Sequence, residues 1–241
     1  MKPGKKLVIF DIDGTLIRPN RLHDNLQRFP YSIKKVYGID IGTITEDMWH
    51  RSNFNGKGDR YILWHYVAPH GITRDQFLDR IGEVGEAFVE YFESIRHGGQ
   101  SYVVIPEAKK LVDDVIAAPH LSEGVLTGNL GSSAMWKLRA AGLPEFAFGV
   151  YGHEADARED LAKLLVEKAA HYFDAPIQSR DIIIVGDTVN DVLCAKAIGA
   201  TSLIVTTGWK VSPDSVREAG ADVIVDSLTD SRVYDLLELT A

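Results

Sequence analysis

The sequence predicts an α/β fold in which a parallel sheet with helices on both faces forms the core and a helical domain is inserted near the start of the chain. Short apolar runs alternate with helical patterns along most of the 241 residues, which is typical of βαβ units and a mainly parallel sheet. Residues 18–99 differ, because their pattern is helical and they contain no convincing run rich in Val or Ile. We therefore predict a Rossmann-like core formed by residues 1–17 and 100–241, interrupted by an inserted domain at residues 18–99.

The strands of the core are predicted from apolar runs that have the length of buried strands. Six runs fit this description: Leu7–Phe10, Gly124–Leu126, Ala147–Tyr151, Ile182–Val185, Ser202–Val205 and Asp222–Val225. A further apolar run, Val103–Ile105, follows Gly98-Gly99, where the inserted segment ends.

Helices are predicted from apolar spacing and from residues typical of helix ends. Gly142, Gly199 and Gly220 each stand at a helix end, and Ser212-Pro213 is typical of an N-cap followed by the first helical position. The predicted core helices are Ser132–Ala141, Arg158–Phe173, Asn190–Ile198 and one that begins at Pro213. Those of the inserted domain are Leu26–Tyr37, Arg60–Val67 and Arg74–Phe92.

The bulk composition limits the classes of partner. A net charge of −8 at pH 7 and a pI near 5.5 disfavour nucleic acid and anionic membranes. No apolar run approaches the ~20 residues that span a bilayer, and the apolar residues before Asp11 are too few for a signal peptide, so we expect a cytoplasmic protein. The single cysteine, Cys194, excludes an internal disulfide and is interpreted as a small buried hydrophobe.

The most informative residues are Asp11 and Asp13, which follow the buried run Leu7–Phe10 and precede Gly14-Thr15. In open α/β sheets the ligand crevice lies beyond the carboxyl ends of the strands, where carboxylates can hold a metal or attack an electrophile. Other polar residues stand in the same kind of position, after a predicted strand or at a helix start. They are Thr127, Gly128, Asn129, Arg158, Asp187 and Asp191. Parallel strands would bring them together.

This set of motifs resembles the haloacid dehalogenase-like superfamily of phosphohydrolases. Asp11–Thr15 matches the family's Asp-x-Asp-Gly-Thr motif, Thr127 its second motif, and Asp187–Asp191 the acidic part of its Gly-Asp-x-x-x-Asp motif. The placement of the inserted helices is similar to the α-helical cap of phosphoglycolate-phosphatase-like members. The family's third motif supplies a Lys or Arg at a helix start. No Lys-Pro occurs here, and Arg158 is favoured over Lys163 because the first helical turn lies nearest the strand ends.

The resemblance implies nucleophilic catalysis by Asp11. A carboxylate can attack phosphorus and form an aspartyl-phosphate, which divides hydrolysis into two easier steps. Mg²⁺ would reduce the repulsion between the two anions, and it prefers oxygen ligands. The predicted ligands are Asp11 and Asp187, with Asp191 acting through a water or as an orienting partner. The resemblance adds the backbone carbonyl of Asp13.

Asp13 is, by resemblance, the general acid and base. We expect neighbouring anions to raise the pKa of its carboxyl, so that it carries a proton near neutrality. Thr127 and Arg158 would hold the phosphoryl oxygens. The backbone amides that follow Thr127, beginning with Gly128, and the side chain of Asn129 could add further donors.

The inserted segment contains a glycine-rich loop, Asn53–Arg60, that carries two cations in an acidic protein. In capped relatives such a loop faces the active site, so Lys57 and Arg60 are candidate contacts for the non-phosphoryl part of the substrate. A solvated turn is the alternative.

Aromatic residues of the segment either line a pocket or form the core of the inserted domain: Trp49, Tyr61, Trp64, Tyr66 and Phe77. Four histidines lack metal-ligand spacing and are interpreted as incidental: His50, His65, His70 and His153.

The sequence therefore predicts a Mg²⁺-dependent phosphatase for a small phosphorylated metabolite, because an enclosing cap suits a small substrate. A phosphomutase of the β-phosphoglucomutase type uses the same two aspartates and stays open, as does pyrophosphate hydrolysis. Phosphonoacetaldehyde hydrolysis requires a lysine of the cap that forms a Schiff base, and Lys57 is a poor candidate for it. A dehalogenase is disfavoured because those relatives lack the second aspartate, here Asp13. A non-catalytic regulator with a phosphorylated aspartate is disfavoured by the insertion and the Gly-Thr that follows the aspartate pair.

Overall fold

The fold is described from a computed structural model that covers residues 6–54, 56–96, 102–146, 148–206 and 212–240. The strands within these residues are β1 (Lys6–Phe10), β2 (Ile17–Pro19), β3 (Tyr102–Val104), β4 (Leu121–Leu126), β5 (Gly149–Val150), β6 (Ile182–Gly186), β7 (Thr201–Val205) and β8 (Val223–Val225). Six of them form one sheet of order β5-β4-β1-β6-β7-β8, in which every described pairing is parallel. The predicted parallel sheet is confirmed.

The predicted strands of this sheet are all present, with shifted ends. β4 begins at Leu121 rather than at Gly124, because Leu121 and Ser122 pair with the first residues of β1. The predicted start at Ala147 lies outside the described residues, and β5 comprises Gly149–Val150.

A second, two-stranded sheet was not predicted. β2 and β3 pair antiparallel where the inserted segment leaves the core and returns to it. Each strand has only three residues, and β2 contains the exposed Arg18 and ends at Pro19, so neither gives a periodic apolar signal.

Twelve α-helices are formed within the described residues. They are α1 (Leu22–Leu26), α2 (Arg28–Tyr37), α3 (Glu46–Arg51), α4 (Asp59–Val67), α5 (Arg74–Asp79), α6 (Ile81–Ile95), α7 (Pro106–Ala117), α8 (Gly131–Ala140), α9 (Arg158–Tyr172), α10 (Val189–Ile198), α11 (Pro213–Glu218) and α12 (Ser231–Leu237). Helices α1–α6 lie between β2 and β3, as predicted for an inserted segment. The boundary at residues 99–100 lies outside the described residues, and the division into two domains stays a prediction.

The predicted helix Arg74–Phe92 is two helices. Arg80 leaves the helical backbone (φ −109°, ψ 7°), and its guanidinium binds Glu83 at 2.9 and 2.6 Å. Phe77 before the break and Val84 after it are both buried in the same hydrophobic cluster. The apolar spacing therefore continues across the break and cannot reveal it.

Helices cover both faces of the sheet, as predicted. The alternation along β1 sends Leu7 and Ile9 to one face, where they pack with α9 and α10, and Val8 and Phe10 to the other. The cluster around Val8 and Phe10 takes in α7, α8 and α12 and continues into the inserted helices. Cys194 is wholly buried, as expected for a small hydrophobe. Among the described residues, no helix combines the length and apolarity needed to cross a membrane.

Candidate active site

A pocket of about 140 Å³ opens at the carboxyl ends of β1, β4 and β6, between the sheet and the inserted helices. These three strands are neighbours in the sheet, which is why residues far apart in sequence meet there. The predicted site residues that line the pocket are Asp11, Asp13, Lys57, Thr127, Gly128, Asn129, Arg158 and Asp187. Asp191 lies next to them, and Arg60 is not among the lining residues.

Three buried carboxylates form the acidic part of the site. Asp11, Asp187 and Asp191 each offer an oxygen within 4.8 Å of the other two. Burial and the charge of Asp191 raise the pKa of Asp11 to about 7, although Arg158 opposes the shift. Burial and the charges of Asp191 and Asp11 raise the pKa of Asp187 well above its usual value. Crowded, all-oxygen carboxylates of this kind fit a hard divalent cation, which would relieve their repulsion.

Gly14 allows the first motif to turn closely past Asp187. Its backbone is left-handed (φ +94°), and a Cβ at this position would lie 2.3 Å from Asp187 Oδ2. The adjacent Thr15 is buried, and its hydroxyl donates to Asp187 Oδ1 at 3.4 Å. The Gly-Thr that follows the aspartate pair therefore fits the space beside the second carboxylate.

Both carboxylate oxygens of Asp191 have protein partners. Oδ2 accepts from the backbone N–H groups of Asp187 (3.2 Å) and Thr188 (3.0 Å) and from the Thr188 hydroxyl (2.7 Å) at the start of α10. Oδ1 accepts from Arg158 Nη2 at 2.6 Å. These contacts favour the orienting role over direct ligation.

Arg158 is the first residue of α9, and its side chain turns toward the sheet edge. Nη2 lies 3.6 Å from Asp11 Oδ1, and Nε is buried with no hydrogen-bond partner. Lys163, the alternative cation, is exposed one turn later and pairs with Asp160 at 2.8 Å. The structure therefore brings Arg158, and not Lys163, to the carboxylates.

Asp13 has a cationic partner that the sequence analysis missed. Lys137 Nζ donates to Asp13 Oδ1 at 3.0 Å and Oδ2 at 2.8 Å, and Asn129 Nδ2 donates to Oδ2 at 2.7 Å. Burial alone would raise the pKa of Asp13, but the charge of Lys137 and the hydrogen bonds from Lys137 and Asn129 outweigh it, so the pKa lies below its usual value. The expected rise is wrong because the nearest charge is positive.

A signal for Lys137 existed in the sequence. It lies on the apolar face of α8, in helical spacing with the buried residues Leu130, Ala134 and Ala141. A lysine in the middle of such a stripe indicates either a broken pattern or a buried charge with a partner.

The loop after β4 packs directly against the inserted segment. Thr127 is wholly buried, and its Oγ1 accepts from Asn129 Nδ2 at 2.8 Å. A Cβ on Gly128 would lie 2.7 Å from Gly58 Cα, so only a glycine allows the two backbones this close. The Gly128 carbonyl accepts from the Asp59 N–H at 2.8 Å.

The two predicted cations of the inserted loop have different surroundings. Lys57 is exposed and lines the pocket, with its ammonium 5.4 Å from the centre of the Tyr61 ring. Arg60 instead donates to the His153 carbonyl at 2.9 Å and pairs with Asp156 at 2.8 Å. The structure therefore places Lys57 at the pocket and Arg60 against the core.

A second buried ion pair was also missed. Arg28 Nη2 donates to Asp59 Oδ1 at 3.0 Å, and Asp59 Oδ2 accepts from the Leu130 N–H at 3.0 Å. Both residues line the pocket. They belong to different helices of the inserted segment, and no local pattern in the sequence links them.

The aromatic residues of the insertion serve mainly as core. Phe77 is buried, Trp64 and Tyr66 pack against the same hydrophobic cluster, and Tyr61 is exposed. Trp49 both packs against this cluster and lines the pocket. Among the described residues, the cluster of possible metal ligands is entirely acidic, so His50, His65, His70 and His153 are not part of it.

Solved structures with this fold are numerous, although no curated protein is significantly similar to the chain in sequence. A predicted phosphatase from Clostridium acetobutylicum is 22% identical, with a TM-score of 0.67 over 98% of this chain and 99% of the other. A predicted phosphoglycolate phosphatase from Haemophilus somnus is 19% identical, with a TM-score of 0.66 over 98% and 100%. CbbY from Rhodobacter sphaeroides, in complex with phosphate, is 17% identical, with a TM-score of 0.67 over 94% and 96%.

The sequence itself matches a family model. The model describes haloacid dehalogenase-like hydrolases and matches residues 5–199, a range that includes every residue of the site described above. The chain belongs to the haloacid dehalogenase-like hydrolase family.

Proposed function

We propose that the protein is a Mg²⁺-dependent phosphatase that hydrolyses a small phosphorylated metabolite through an aspartyl-phosphate. The placement of Asp11 carries this proposal. Asp11 ends the central strand β1, lines the pocket, and has Asp187 and the Arg158 guanidinium beside it. A carboxylate beside a cation, with a possible metal site, suits attack on an anionic electrophile.

Arg158 and Thr127 would bind the phosphoryl group. The guanidinium of Arg158 lines the pocket, and its Nη2 lies 3.6 Å from Asp11 Oδ1, so it is placed to donate to an oxygen of a phosphoryl group attacked by Asp11. Charge spreads over the equatorial oxygens in the transition state, and fixed donors aimed at them lower the barrier.

The reaction would proceed in two steps. An Asp11 oxygen forms a bond to phosphorus while the bond to the alcohol oxygen breaks, and Asp13 gives that oxygen a proton. A water then attacks the same phosphorus, Asp13 accepts its proton, and phosphate leaves while Asp11 is restored. A phosphoryl dianion beside Asp13 increases its proton affinity, which counteracts the influence of Lys137.

Asp11, Asp187 and the backbone carbonyl of Asp13 would hold Mg²⁺, and Asp191 would keep Arg158 and the loop in place. When bound, the ion supplies positive charge between the attacking carboxylate and the phosphoryl oxygens. The acidic cluster fits this role because it offers only oxygen ligands. Arg158 is the cation that offsets the negative charge at Asp11.

The size of the pocket favours a small substrate. The inserted loop closes against the core through Asp59 N–H to the Gly128 carbonyl (2.8 Å) and Asn190 Nδ2 to the Gly56 carbonyl (2.9 Å). The pocket that remains beneath this loop has a volume of about 140 Å³. Among the similar solved structures, CbbY is in complex with phosphate in one and with xylulose-(1,5)bisphosphate in another. Lys57 is the residue we propose for contact with the non-phosphoryl part.

Phosphate release tests the proposal. The purified protein should release inorganic phosphate from p-nitrophenyl phosphate and from members of a panel of phosphorylated metabolites when Mg²⁺ is present, and should lose this activity in EDTA. Return of the phosphoryl group to a sugar, with no free phosphate, would instead identify a phosphomutase. No turnover of any member with metal present would contradict the enzymatic proposal.

Asp11→Asn tests the nucleophile. The substitution keeps the shape of the side chain but removes the attacking oxyanion, so we expect kcat to fall by at least about 1,000-fold. The fold should persist, because the change also removes a charge that Asp191 repels. Asp160→Asn, at an exposed residue of α9, is the matched control and should keep full activity. Substantial activity in Asp11→Asn would exclude it as nucleophile.

A further inference from the structure

Lys137 places a buried ammonium group in the wall of the pocket. Its side chain has no exposed surface, and its Nζ contacts Asp13 Oδ1 (3.0 Å), Asp13 Oδ2 (2.8 Å) and Asn129 Oδ1 (2.6 Å). An ammonium has three N–H donors and no acceptor, so these three oxygens satisfy it completely. The Tyr102 ring closes the site, with its centre 5.1 Å from Nζ.

Packing alone does not explain a lysine at this position. The residues one helical turn before and after it, Ala134 and Ala141, are buried and apolar, so an apolar side chain would continue the stripe. Removing a charge from water is costly, and a buried ion pair contributes less to stability than a well-packed apolar pair of the same volume. The lysine is therefore better explained by what it does to Asp13 and Asn129.

Lys137 determines which way the Asn129 amide faces. Because Nζ can only donate, it must meet the carbonyl oxygen of that amide, and this leaves Nδ2 to donate to Asp13 Oδ2 (2.7 Å) and Thr127 Oγ1 (2.8 Å). Thr127 Oγ1 also accepts from the Asn129 N–H at 3.3 Å. With both lone pairs of that hydroxyl occupied, its hydrogen remains for a phosphoryl oxygen.

We propose that Lys137 is a positioning residue that holds the Asp13 carboxyl in line with the leaving-group oxygen and orients Asn129, and through it the Thr127 hydroxyl, toward the phosphoryl group. The inference rests on the proposed phosphatase function. Asp13 is accessible from the pocket, with 34% of its side chain exposed, whereas Lys137 is not, so Lys137 acts through Asp13 rather than on the substrate.

The dependence on leaving group tests this role. p-Nitrophenolate leaves readily without a proton, whereas the phenolate of phenyl phosphate, whose conjugate acid has a pKa of about 10, benefits more from a donated proton. In Lys137→Met, we expect kcat/KM to fall at least about tenfold more for phenyl phosphate than for p-nitrophenyl phosphate. Ser133→Ala is the control: it removes a buried hydrogen bond to the Leu130 carbonyl (3.1 Å) in the same helix and should leave this ratio unchanged.

An equal loss for both substrates in Lys137→Met, or a loss matching that of Ser133→Ala, would overturn the positioning role while leaving the phosphatase proposal intact. Failure of the unmodified protein to hydrolyse either compound would instead count against the phosphatase itself. If Lys137→Met does not fold, the double variant Asp13→Asn/Lys137→Met removes both charges together. Its substrate ratio should equal that of Asp13→Asn alone, and a further change in the ratio would overturn the proposal.

Discussion

Gly14 shows how strongly the backbone at a single residue determines the site. Its φ of +94° is open to glycine and strained for other residues, and Asp187 occupies the space that a side chain would need. The first motif can bring Asp11 and Asp13 to the pocket only if the chain turns in this way between β1 and β2. The role of Gly14 is therefore to position the carboxylates, and it takes no part in the reaction itself.

Gly14→Ala should destabilise the protein and lower activity. The strained backbone and the contact with Asp187 together should reduce the free energy of unfolding by about 1–3 kcal/mol. Gly82→Ala is the matched control, because nothing lies within 4 Å of a Cβ at this residue of α6, and it should change stability by less than about 1 kcal/mol, in the stabilising direction. Urea unfolding measures both. Equal stability of Gly14→Ala and the unmodified protein would contradict this account.

Residues of the site differ in how far sequence could predict them. Asp11, Asp13 and Asp187 stand in short motifs after apolar runs, so their places at strand ends followed from the pattern alone. The apolar stripe of α8 marks Lys137 as unusual, but the partners of Lys137 and Arg28 did not follow from any pattern, because Asp13 and Asp59 are distant in the chain. The predicted direction of the pKa shift of Asp13 was wrong for the same reason.

Position along an element decides which cation reaches the buried carboxylates. Helix α9 begins at Arg158, close to the end of β6, and its next turn already carries Lys163 into solvent. Arg158 is held by Asp191 from the neighbouring helix α10, so two helix starts meet at the sheet edge.

Arg158→Ala should therefore lower kcat/KM by at least about 100-fold, as expected for loss of a donor to the transition state. Lys163→Ala removes only an exposed ion pair with Asp160 and should keep kcat/KM within about twofold. Steady-state kinetics with p-nitrophenyl phosphate compares the two variants. A larger effect from Lys163→Ala would return Lys163 as the third-motif cation.

Elements were predictable where they are long and periodic. The strands of the main sheet follow apolar runs, and helices α8 and α10 stop at the end signals Gly142 and Gly199, of which Gly199 is left-handed at the end of α10. The β2–β3 pair has too few residues for a pattern. The break at Arg80 leaves the apolar spacing unchanged, so the sequence gives one helix where the structure has two.

Charge is distributed unevenly over the molecule as a whole. The chain carries a net charge of −8, yet the pocket lining contains four cationic side chains beside its four carboxylates. The cations are Arg28, Lys57, Lys137 and Arg158. The cations of the lining therefore offset its carboxylates, so a phosphorylated substrate would meet a local charge less negative than that of the whole protein, which the composition alone could not show. The fold class followed from patterning, whereas this charge balance depends on how the inserted helices sit on the core.

Metal binding should couple to pH through the buried carboxylates. In the metal-free protein the pKa of Asp11 is raised from 3.8 to about 7, so between these values the folded state keeps a proton that the unfolded chain has released, and stability falls as the pH rises through this window. Above it the carboxylate is charged and repelled by Asp191. At pH 6 only about a tenth of Asp11 is ionised, and the pKa of the second ligand, Asp187, is raised as well, so the affinity for Mg²⁺ should be at least about tenfold lower than at pH 8.

Thermal unfolding with and without Mg²⁺ at the two pH values measures this coupling. We expect Mg²⁺ to raise Tm more at pH 8 than at pH 6, because at pH 8 it relieves repulsion and at pH 6 it must first displace a proton. Sodium chloride at matched ionic strength is the control, since general screening would act without the same dependence on a divalent ion. A larger Mg²⁺ effect at pH 6, or none at either pH, would show that Asp11 and its neighbours do not form the metal site.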